Sequence, residues 1–579
     1  MARDLSRLIP AAAWLRAYDK KWLRSDLVAG LTAAAVVVPQ SMAYAGIADL
    51  PLVIGLYTAF VPLLVYAVMG TSRSLSVTTT STIALLSAGA LQQIRAGAPN
   101  EAVIPAAATL SVAVGGVLLI AWALRLGIVA SLISEPVLVG FKAGVGFVIV
   151  VDQLPKLLGI HFVKGHLLHN ILSIAGHLPE ASLPTLILAL GMLALLIGLK
   201  RLAPAAPAAL VAVATGIALS ASLDISRRGV ELVGTVQGGF PSFAFPQVQL
   251  LEELWLAAVG IALMSFVETV AAGQAFRGPD EPRPVPNQEL LAIGLTNLVG
   301  GLFQAMPSGG GTSQTAVNQR AGARTQLAGL ATMGIVIAVL LFLAPLVRWM
   351  PQATLAAVVV VPCAGMIRLA EFRVILRARV MEFSWAIVAF AGVAILGTLR
   401  GIIVAVVLSL LALMYHGSRR PVLILARKPG TNVFRPQSAE HPRDEAFPGL
   451  LMVKTEGIMH FANAQRIGNV IWPLVEKLEP RVVVVDCSAV PDIEYTALKM
   501  LTEAQKKFLK MGVTLWLAGL NPEPLRLVQK SPLGETLGRE RMFFTLVQAV
   551  ETYQKQFPCK PVSAHETAAG GRGNDQERQ

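Results

Sequence analysis

Apolar positions in this chain fall in long unbroken runs rather than at the 3.6-residue or two-residue spacing of a soluble core. Most runs are about 16 to 22 residues, enough to cross a hydrocarbon core. They predict spans near residues 27–45, 52–69, 103–123, 128–150, 183–200, 204–222, 254–276, 287–304, 325–347, 353–369, 383–398 and 401–416. Polar interruptions matter as much as the runs. Pro307-Ser308-Gly309-Gly310-Gly311-Thr312-Ser313-Gln314-Thr315 separates two apolar stretches. Its glycines and proline cannot continue a helix, and Thr312 or Ser313 is suited to cap a new one. Ser74 to Thr82 is a second interruption, a hydroxyl-rich cluster feeding the short apolar run Ile83–Leu91. Span 1 contains Pro39-Gln40-Ser41, so it is expected to break or kink.

With two half-helices after the interruptions, the pattern gives about fourteen membrane segments. Paired interrupted segments point to the central site of a transporter. Helix starts carry unpaired N–H groups and partial positive charge, which suit an anion. The plainer alternative is a short extramembrane loop at 307–315, with hydroxyls bonded back onto their own helices.

Composition agrees with a multi-span membrane protein. The chain has 579 residues, 54% hydrophobic and 14% charged, where a soluble domain carries about a quarter charged. The net charge of +13 needs no nucleic acid, because cytoplasmic loops of membrane proteins are rich in Lys and Arg. Arg73, Arg125, Lys200, Arg201, Arg277, Arg283, Arg320, Arg324, Arg368, Arg373, Arg377, Arg379, Arg419 and Arg420 fall on the side of the basic N-terminal segment. The opposite loops hold fewer: Arg95, Lys156, Lys164, Arg227, Arg228, Arg348 and Arg400. Both termini are therefore expected in the cytoplasm. No small-residue cleavage site follows the first basic residues, so no signal peptide is expected. Cys363, Cys487 and Cys559 are scattered and define neither a metal site nor a disulfide framework. No nucleophile–base constellation accompanies them, and the chain does not read as an enzyme.

The organisation expected along the chain is a cytoplasmic amphipathic segment at 1–26, with Trp14 and Trp22 suited to the lipid interface, and a membrane domain at 27–420. A linker at 421–449, a small soluble α/β domain at 450–560 and a disordered tail at 561–579 follow. In the soluble part, Leu450–Thr455, Val482–Asp486 and Val513–Ala518 read as strands, and Asn463–Leu478 and Thr496–Met511 as helices.

The chain resembles the SulP anion transporters, bacterial relatives of the animal sulfate, chloride and bicarbonate exchangers and of prestin. The matching residues include Asp26-Leu27-Val28-Ala29-Gly30, Pro39-Gln40-Ser41-Met42-Ala43-Tyr44, Gly70-Thr71-Ser72-Arg73, Asn287-Gln288-Glu289-Leu290, Asn297-Leu298-Val299-Gly300 and Gly322-Ala323-Arg324-Thr325-Gln326. The soluble part resembles a STAS domain. The resemblance implies an all-α polytopic membrane domain of two inverted repeats, about seven segments each, with core and gate domains and two half-helices. It also implies a homodimer in the bacterial inner membrane, surrounded by lipid. The implied substrate is a small inorganic or organic anion, sulfate or similar, carried by elevator-type alternating access. Its site would lie between the half-helix starts, at Thr79, Thr80 and Ser81 on one side and Gly311, Thr312, Ser313 and Gln314 on the other, with Gln40 offering an amide N–H.

The chain departs from the family pattern. Thr78-Thr79 stands where a Gly-Pro pair is usual, and Gly311-Thr312-Ser313-Gln314 where many members have Ser-Phe-Ser-Arg. The missing arginine removes a fixed positive charge, so coupling to a proton or a cation is expected. Glu268, an acid within span 254–276, matches an acidic position of sodium-coupled bicarbonate members. With Gly310 and Thr312 it is a candidate Na⁺ site, but Ala272 replaces the threonine those members carry one turn later. A proton-carrying role, and a structural role bonding the backbone of the interruption at Pro307–Thr315, stand beside it. No cofactor is expected. The alternatives are a Na⁺- or H⁺-coupled bicarbonate or dicarboxylate symporter, an anion channel, and a scaffold whose soluble domain is the active part. In that domain Thr496 matches the phosphorylatable serine of anti-sigma antagonists, with a simple helix N-cap as the alternative, and a cytoplasmic partner is possible there.

Overall fold

The computed structural model describes residues 9–95, 103–131, 134–162, 167–203, 206–234, 238–278, 281–418 and 422–563. Residues 1–8 and 564–579, at the ends of the expected N-terminal segment and tail, lie outside them, as do Lys164, Arg419 and Arg420. The chain divides into Met1–Leu410 and Leu411–Gln579.

In the first unit a short helix, Ala11–Arg16, precedes α1 (Leu23–Ile47). Trp14 is buried and its Nε1 donates to the carbonyl of Ala67 at 3.2 Å. It therefore pins the N-terminal segment to the protein instead of facing lipid, the position its sequence context predicts. α1 runs as one helix through Pro39. The expected break is absent, because neighbouring helices tolerate the one backbone bond that proline removes. α2 (Leu52–Met69) packs so closely on α1 that a Cβ at Gly55 would stand 2.0 Å from the carbonyl oxygen of Ser41. After the two-residue strand β1 (Val77–Thr78) come α3 (Ser81–Arg95) and α4 (Val103–Ala123). The span expected at 128–150 instead forms α5 (Glu135–Leu158), started by Pro136 in its first turn and ended by Gly159 at φ 68°.

α6 (Leu183–Leu202), α7 (Ala208–Leu223), α8 (Leu251–Ala275) and α9 (Pro286–Leu302) follow. Strand β2 (Gly309–Gly310) then leads into α10 (Thr312–Arg320) and α11 (Leu327–Ala338), the latter extended by a π-helical stretch, Val339–Leu343. α12 (Gln352–Ala364), an arginine-bearing helix α13 (Leu369–Ala378), α14 (Val380–Leu396) and α15 (Thr398–Ser418) complete the sequence. Among the described residues seven helices are long and apolar enough to cross a membrane, and five shorter apolar helices accompany them. α3 and α10 would rise only about 22 Å and 13 Å, short of a bilayer core.

The second unit is an α/β domain. β3 (Val422–Arg427), β4 (Phe434–Pro436) and β5 (Glu445–Ala446) lie where a linker was expected at 421–449. They join the sheet because Val422–Ala426 is a β-prone apolar run that pairs antiparallel with β6 (Leu450–Glu456). Parallel neighbours β7 (Val482–Ala489), β8 (Thr514–Ala518) and β9 (Met542–Phe543) continue it. β10 (Val562–Ser563), in the stretch expected to be disordered, pairs with β5. Alternation along the strands splits the core. Leu451, Val453, Val483, Val485, Leu515 and Leu517 share one cluster with residues of α16 (Phe461–Leu478) and α17 (Tyr495–Lys510). Met452, Val482, Val484 and Trp516 share the other with residues of α18 (Leu546–Gln556).

Candidate anion site at two half-helix starts

The two interrupted stretches meet. β1 and β2 pair antiparallel, Val77 opposite Gly310 and Thr78 opposite Gly309. The N–H of Gly311 donates to the carbonyl of Ser76 at 3.0 Å. The strands deliver the chain directly into the starts of α3 and α10. Each start presents N–H groups that no helical carbonyl reaches, equivalent to about half a positive charge.

A break inside an apolar bundle survives only if its backbone is satisfied. Here α8 and α9 do it. Thr269 Oγ1 accepts from the N–H of Gly310 at 2.9 Å, and Ser265 Oγ donates to the carbonyl of Ser308 at 2.6 Å. Asn297 closes both sides of Ser308, its Oδ1 accepting from the N–H at 2.8 Å and its Nδ2 donating to the carbonyl at 3.1 Å. Asn318 Nδ2 donates to the carbonyl of Ser74, and Gln326 Nε2 to those of Ser72 and Leu75. Three buried carboxylates hold the loops outside the half-helices. Glu289 accepts from Tyr66 Oη at 2.9 Å and from the N–H and hydroxyl of Thr71. Glu281 accepts from Ser72 Oγ and the N–H of Arg73. Asp26 accepts from the N–H groups of Arg324 and Thr325 and the Thr325 hydroxyl. Several of the motifs that carried the resemblance are thus contacts between distant segments.

The fold treats the expected site residues differently. Thr80 is the residue before α3, and its Oγ1 accepts from the N–H of Ile83 at 3.3 Å while donating to Glu268 Oε2 at 2.8 Å. Ser81 Oγ lies 3.7 Å from Met366 Sδ, and the buried Tyr44 of α1 faces Ser81. Gln314 is buried and its Oε1 accepts from Thr78 Oγ1 at 2.8 Å. That contact joins the two half-helix starts and leaves the amide nitrogen as the donor end. Thr312 and Ser313 are exposed on the first turn of α10. Thr79 and Gln40 are buried, and neither Thr79 Oγ1 nor Gln40 Oε1 has a hydrogen-bond partner. A hydroxyl such as Thr79 Oγ1 can donate to an anion, whereas Gln40 can offer an anion only its amide N–H groups, since its Oε1 is an acceptor.

Three expectations change. The N-cap of α10 is Gly311, without a side-chain bond, rather than Thr312 or Ser313, because the strand pairing fixes the backbone one residue earlier. The backbone of the interruption at Pro307–Thr315 is bonded by Thr269, Ser265 and Asn297; the hydrogen bond of Glu268 goes to Thr80 in the interruption at Ser74–Thr82. In the soluble domain Glu494, not Thr496, stands at the N-cap of α17, and Thr496 is exposed in the first turn. Thr78 and Tyr44 stand in the stretches that the sequence singles out, without a role assigned to either; Met366 has no local signal, and only the fold brings it here. Among the described residues no cluster of three or more His, Cys, Asp or Glu gathers as metal ligands. Cys487 is buried in the soluble sheet and its thiol is pushed up to about 12, which keeps it unreactive.

The pattern described as the sulfate permease family matches residues 23–389, and that of the STAS domain residues 441–549. The chain belongs to the sulfate permease family. It is accordingly a transporter and not an enzyme. A Mycobacterium tuberculosis protein described as a probable sulfate transporter is 33% identical over 551 residues, which cover 94% of this chain and 98% of the relative. High affinity sulfate transporter 2 of Stylosanthes hamata is 28% identical, over 95% of this chain and 87% of its own. The fold is that of murine Solute Carrier 26 family member A9, described as an anion transporter in the inward-facing state, with a TM-score of 0.89 at 23% identity over 96% of this chain and 95% of that one. The transmembrane domain of the cyanobacterial bicarbonate transporter BicA superimposes with a TM-score of 0.58 at 22% identity, over 67% of this chain and 98% of that one.

Proposed function

We propose that this protein carries a small oxyanion, sulfate or one chemically close to it, across the bacterial inner membrane by elevator-type alternating access. The anion sits between the starts of α3 and α10, held by their N–H groups, by Thr79, Thr312 and Ser313, and by the amide of Gln314. The observation that carries this is the antiparallel pairing of Val77–Thr78 with Gly309–Gly310, which aims two helix starts at one place. The naming of the mycobacterial relative as a probable sulfate transporter supports the choice of anion. Glu268 is the coupling group, bound through Thr80 to the cap of α3. The working unit is a homodimer with both termini in the cytoplasm and the STAS domain as its regulatory arm, open to a partner or to phosphorylation at exposed Thr496.

The position of Glu268 favours one second reading, Na⁺- or H⁺-coupled carriage of bicarbonate or a dicarboxylate. The test is uptake of labelled sulfate and labelled bicarbonate into proteoliposomes under imposed pH or Na⁺ gradients. Sulfate uptake driven by inward protons supports the first reading. Bicarbonate uptake driven by Na⁺ replaces it with the second, and uptake of neither refutes both.

A further inference from the structure

α13 is unlike the helices on either side of it. α12 and α14 are apolar, whereas Arg368, Glu371, Arg373, Arg377 and Arg379 fall within α13 or at its two flanks. Charges at that density keep a segment out of hydrocarbon. The helix also stops at both ends, with Arg368 at φ −94° and ψ 82° and Arg379 at φ −155° and ψ 113°. α13 is therefore a separate rod of about 15 Å, tied within a few residues to an apolar helix on each side. A charged rod held between two membrane helices belongs at the boundary of water and lipid.

Its apolar side chains form one stripe. Leu369, Phe372, Ile375 and Leu376 recur at i, i+3, i+6 and i+7, and Arg373 and Arg377 run along one edge of that stripe, one turn apart. The protein covers little of it. No residue of α13 is buried, and Leu369 is 63% and Leu376 43% exposed. The rings of Phe372 and Phe383, 6.4 Å apart, rest the helix against α14. Beside two membrane helices, lipid is what covers such a stripe, at the depth where headgroup phosphates meet acyl chains. The charges divide into two sets. Arg368 pairs with Glu371 at 2.6 Å and Arg379 with Glu382 at 3.6 Å. Arg373 and Arg377 are exposed and form no ion pair or hydrogen bond with another described residue.

We infer that α13 is a seat for anionic phospholipid, in which Arg373 and Arg377 take the headgroup phosphates while Leu369 and Leu376 enter the acyl boundary. Arginine suits the task. Its planar fork matches the oxygens of a phosphate, and its long stem carries the charge up to the headgroups while the stripe stays down. Two free arginines at an anionic surface favour the seated helix about fivefold each. The seat bears on transport through one connection. Met366 lies three residues before Leu369, in the link from α12, and its Sδ is 3.7 Å from Ser81 Oγ at the start of α3. A seated α13 holds that end of α12 against the half-helix start. This last step rests on the transport reading above; the seat itself does not.

The test uses the full-length protein in nanodiscs of phosphatidylcholine, alone or with a third of phosphatidylglycerol. Amide exchange over residues 369–378 slows severalfold with the anionic lipid, and the Arg373→Gln/Arg377→Gln variant loses that difference. Equal exchange in both lipids, or a difference that survives in the variant, overturns the seat. Where the variant does not reach the membrane, the wild-type protein decides: an anionic-lipid effect that fades as ionic strength rises supports the inference, and one insensitive to salt refutes it. Uptake of labelled sulfate and labelled bicarbonate into vesicles of the same two compositions reads the link to the site. The ratio of wild-type to variant uptake rises about three- to fivefold with the anionic lipid, and in that ratio the repulsion of anions by the charged surface cancels. A ratio equal in both lipids overturns the link to Ser81. Absence of uptake with either anion in both lipids overturns the transport reading alone, and amide exchange still decides the seat.

Discussion

Two neighbouring glycines separate packing from transport. A Cβ at Gly310 would stand 2.7 Å from the Cα of Thr269, so α8 and β2 would have to part. Backbone cannot swing aside, and overpacking of this kind costs about 1–3 kcal/mol. Parting them also threatens the bond from the Gly310 N–H to Thr269 Oγ1. A Cβ at Gly311 would meet only the end of the Gln314 side chain, with Oε1 at 2.2 Å. The backbone there, φ −83° and ψ 117°, is open to any residue. Gly311→Ala therefore displaces the Gln314 amide and breaks its contact with Thr78, a net loss of about 1 kcal/mol. The expected pair of outcomes is opposite in kind. Gly310→Ala lowers the thermal midpoint of the detergent-solubilised protein by several degrees, whereas Gly311→Ala keeps it within a degree or two and loses most anion uptake. Larger residues at position 311 go further in the same direction. A Gly311→Ala protein with wild-type uptake would refute the role of Gln314 in holding the anion. A Gly310→Ala protein of wild-type stability would refute the tight packing of β2 on α8.

Other changes bear on the carboxylates. Glu268→Gln keeps a carbonyl to accept from Thr80, so the protein should fold and still bind anion, while its uptake no longer responds to an imposed pH or Na⁺ gradient; flux assays with and without each gradient check this. Because coupling is reciprocal, the same variant should lose any increase in anion affinity that the coupling ion gives. Glu289→Ala orphans Tyr66 Oη and the N–H and hydroxyl of Thr71, at about 1–3 kcal/mol for each buried donor; thermal unfolding should show a lower midpoint than for any single substitution on the rim of the site. In the soluble domain, the Arg435 guanidinium hydrogen-bonded to Asp444 holds its carboxyl below the ordinary range. Its stabilisation is present above the usual carboxylate pKa and is lost as pH falls through the depressed value. Protection of the β3, β4 and β5 amides against exchange, relative to the intrinsic rate at each pH, should therefore fall below about pH 4, and Asp444→Asn should abolish that dependence.

What the sequence discloses follows the reach of its signals. Membrane spans are runs of one chemistry and read directly, as do the breaks at Gly309–Gly311 and Ser74–Thr82, because glycine and hydroxyl clusters stop helices by local rules. The pairing of Val77–Thr78 with Gly309–Gly310 does not read, since two residues leave no alternation to detect. The roles of Asp26, Glu281 and Glu289 are equally silent. Each carboxylate bonds a loop some 200 to 300 positions away in the chain, and no spacing along it announces the partner. The cap of α10 shifted from Thr312 to Gly311 because a strand contact, not a side-chain preference, ends the extended segment. β4 and β5 were lost in the expected linker for the reason that hid β1, being only three and two residues long.

The electrostatics of the proposed site explain why an anion carrier would place an acid there. Two helix starts supply about one positive charge between them. Ionised Glu268, tied to the cap of α3 through Thr80, cancels about that much. With the neutral Gln314 in the first turn of α10, nothing else there restores the balance: Thr312, Ser313 and Thr315 are neutral. On the coupling proposed above, a divalent oxyanion entering this nearly neutral place would meet weak attraction until the charge of Glu268 is compensated. A proton or a sodium ion does that, and then the full helix-start field acts on the substrate. Coupling on this account is a direct consequence of having no fixed cation in this turn. On that proposal the ion and the anion would stabilise each other in one pocket, so that either alone would bind poorly. Such a site lets a gradient do the work that a fixed cation would otherwise do, without holding the anion so tightly that release becomes slow.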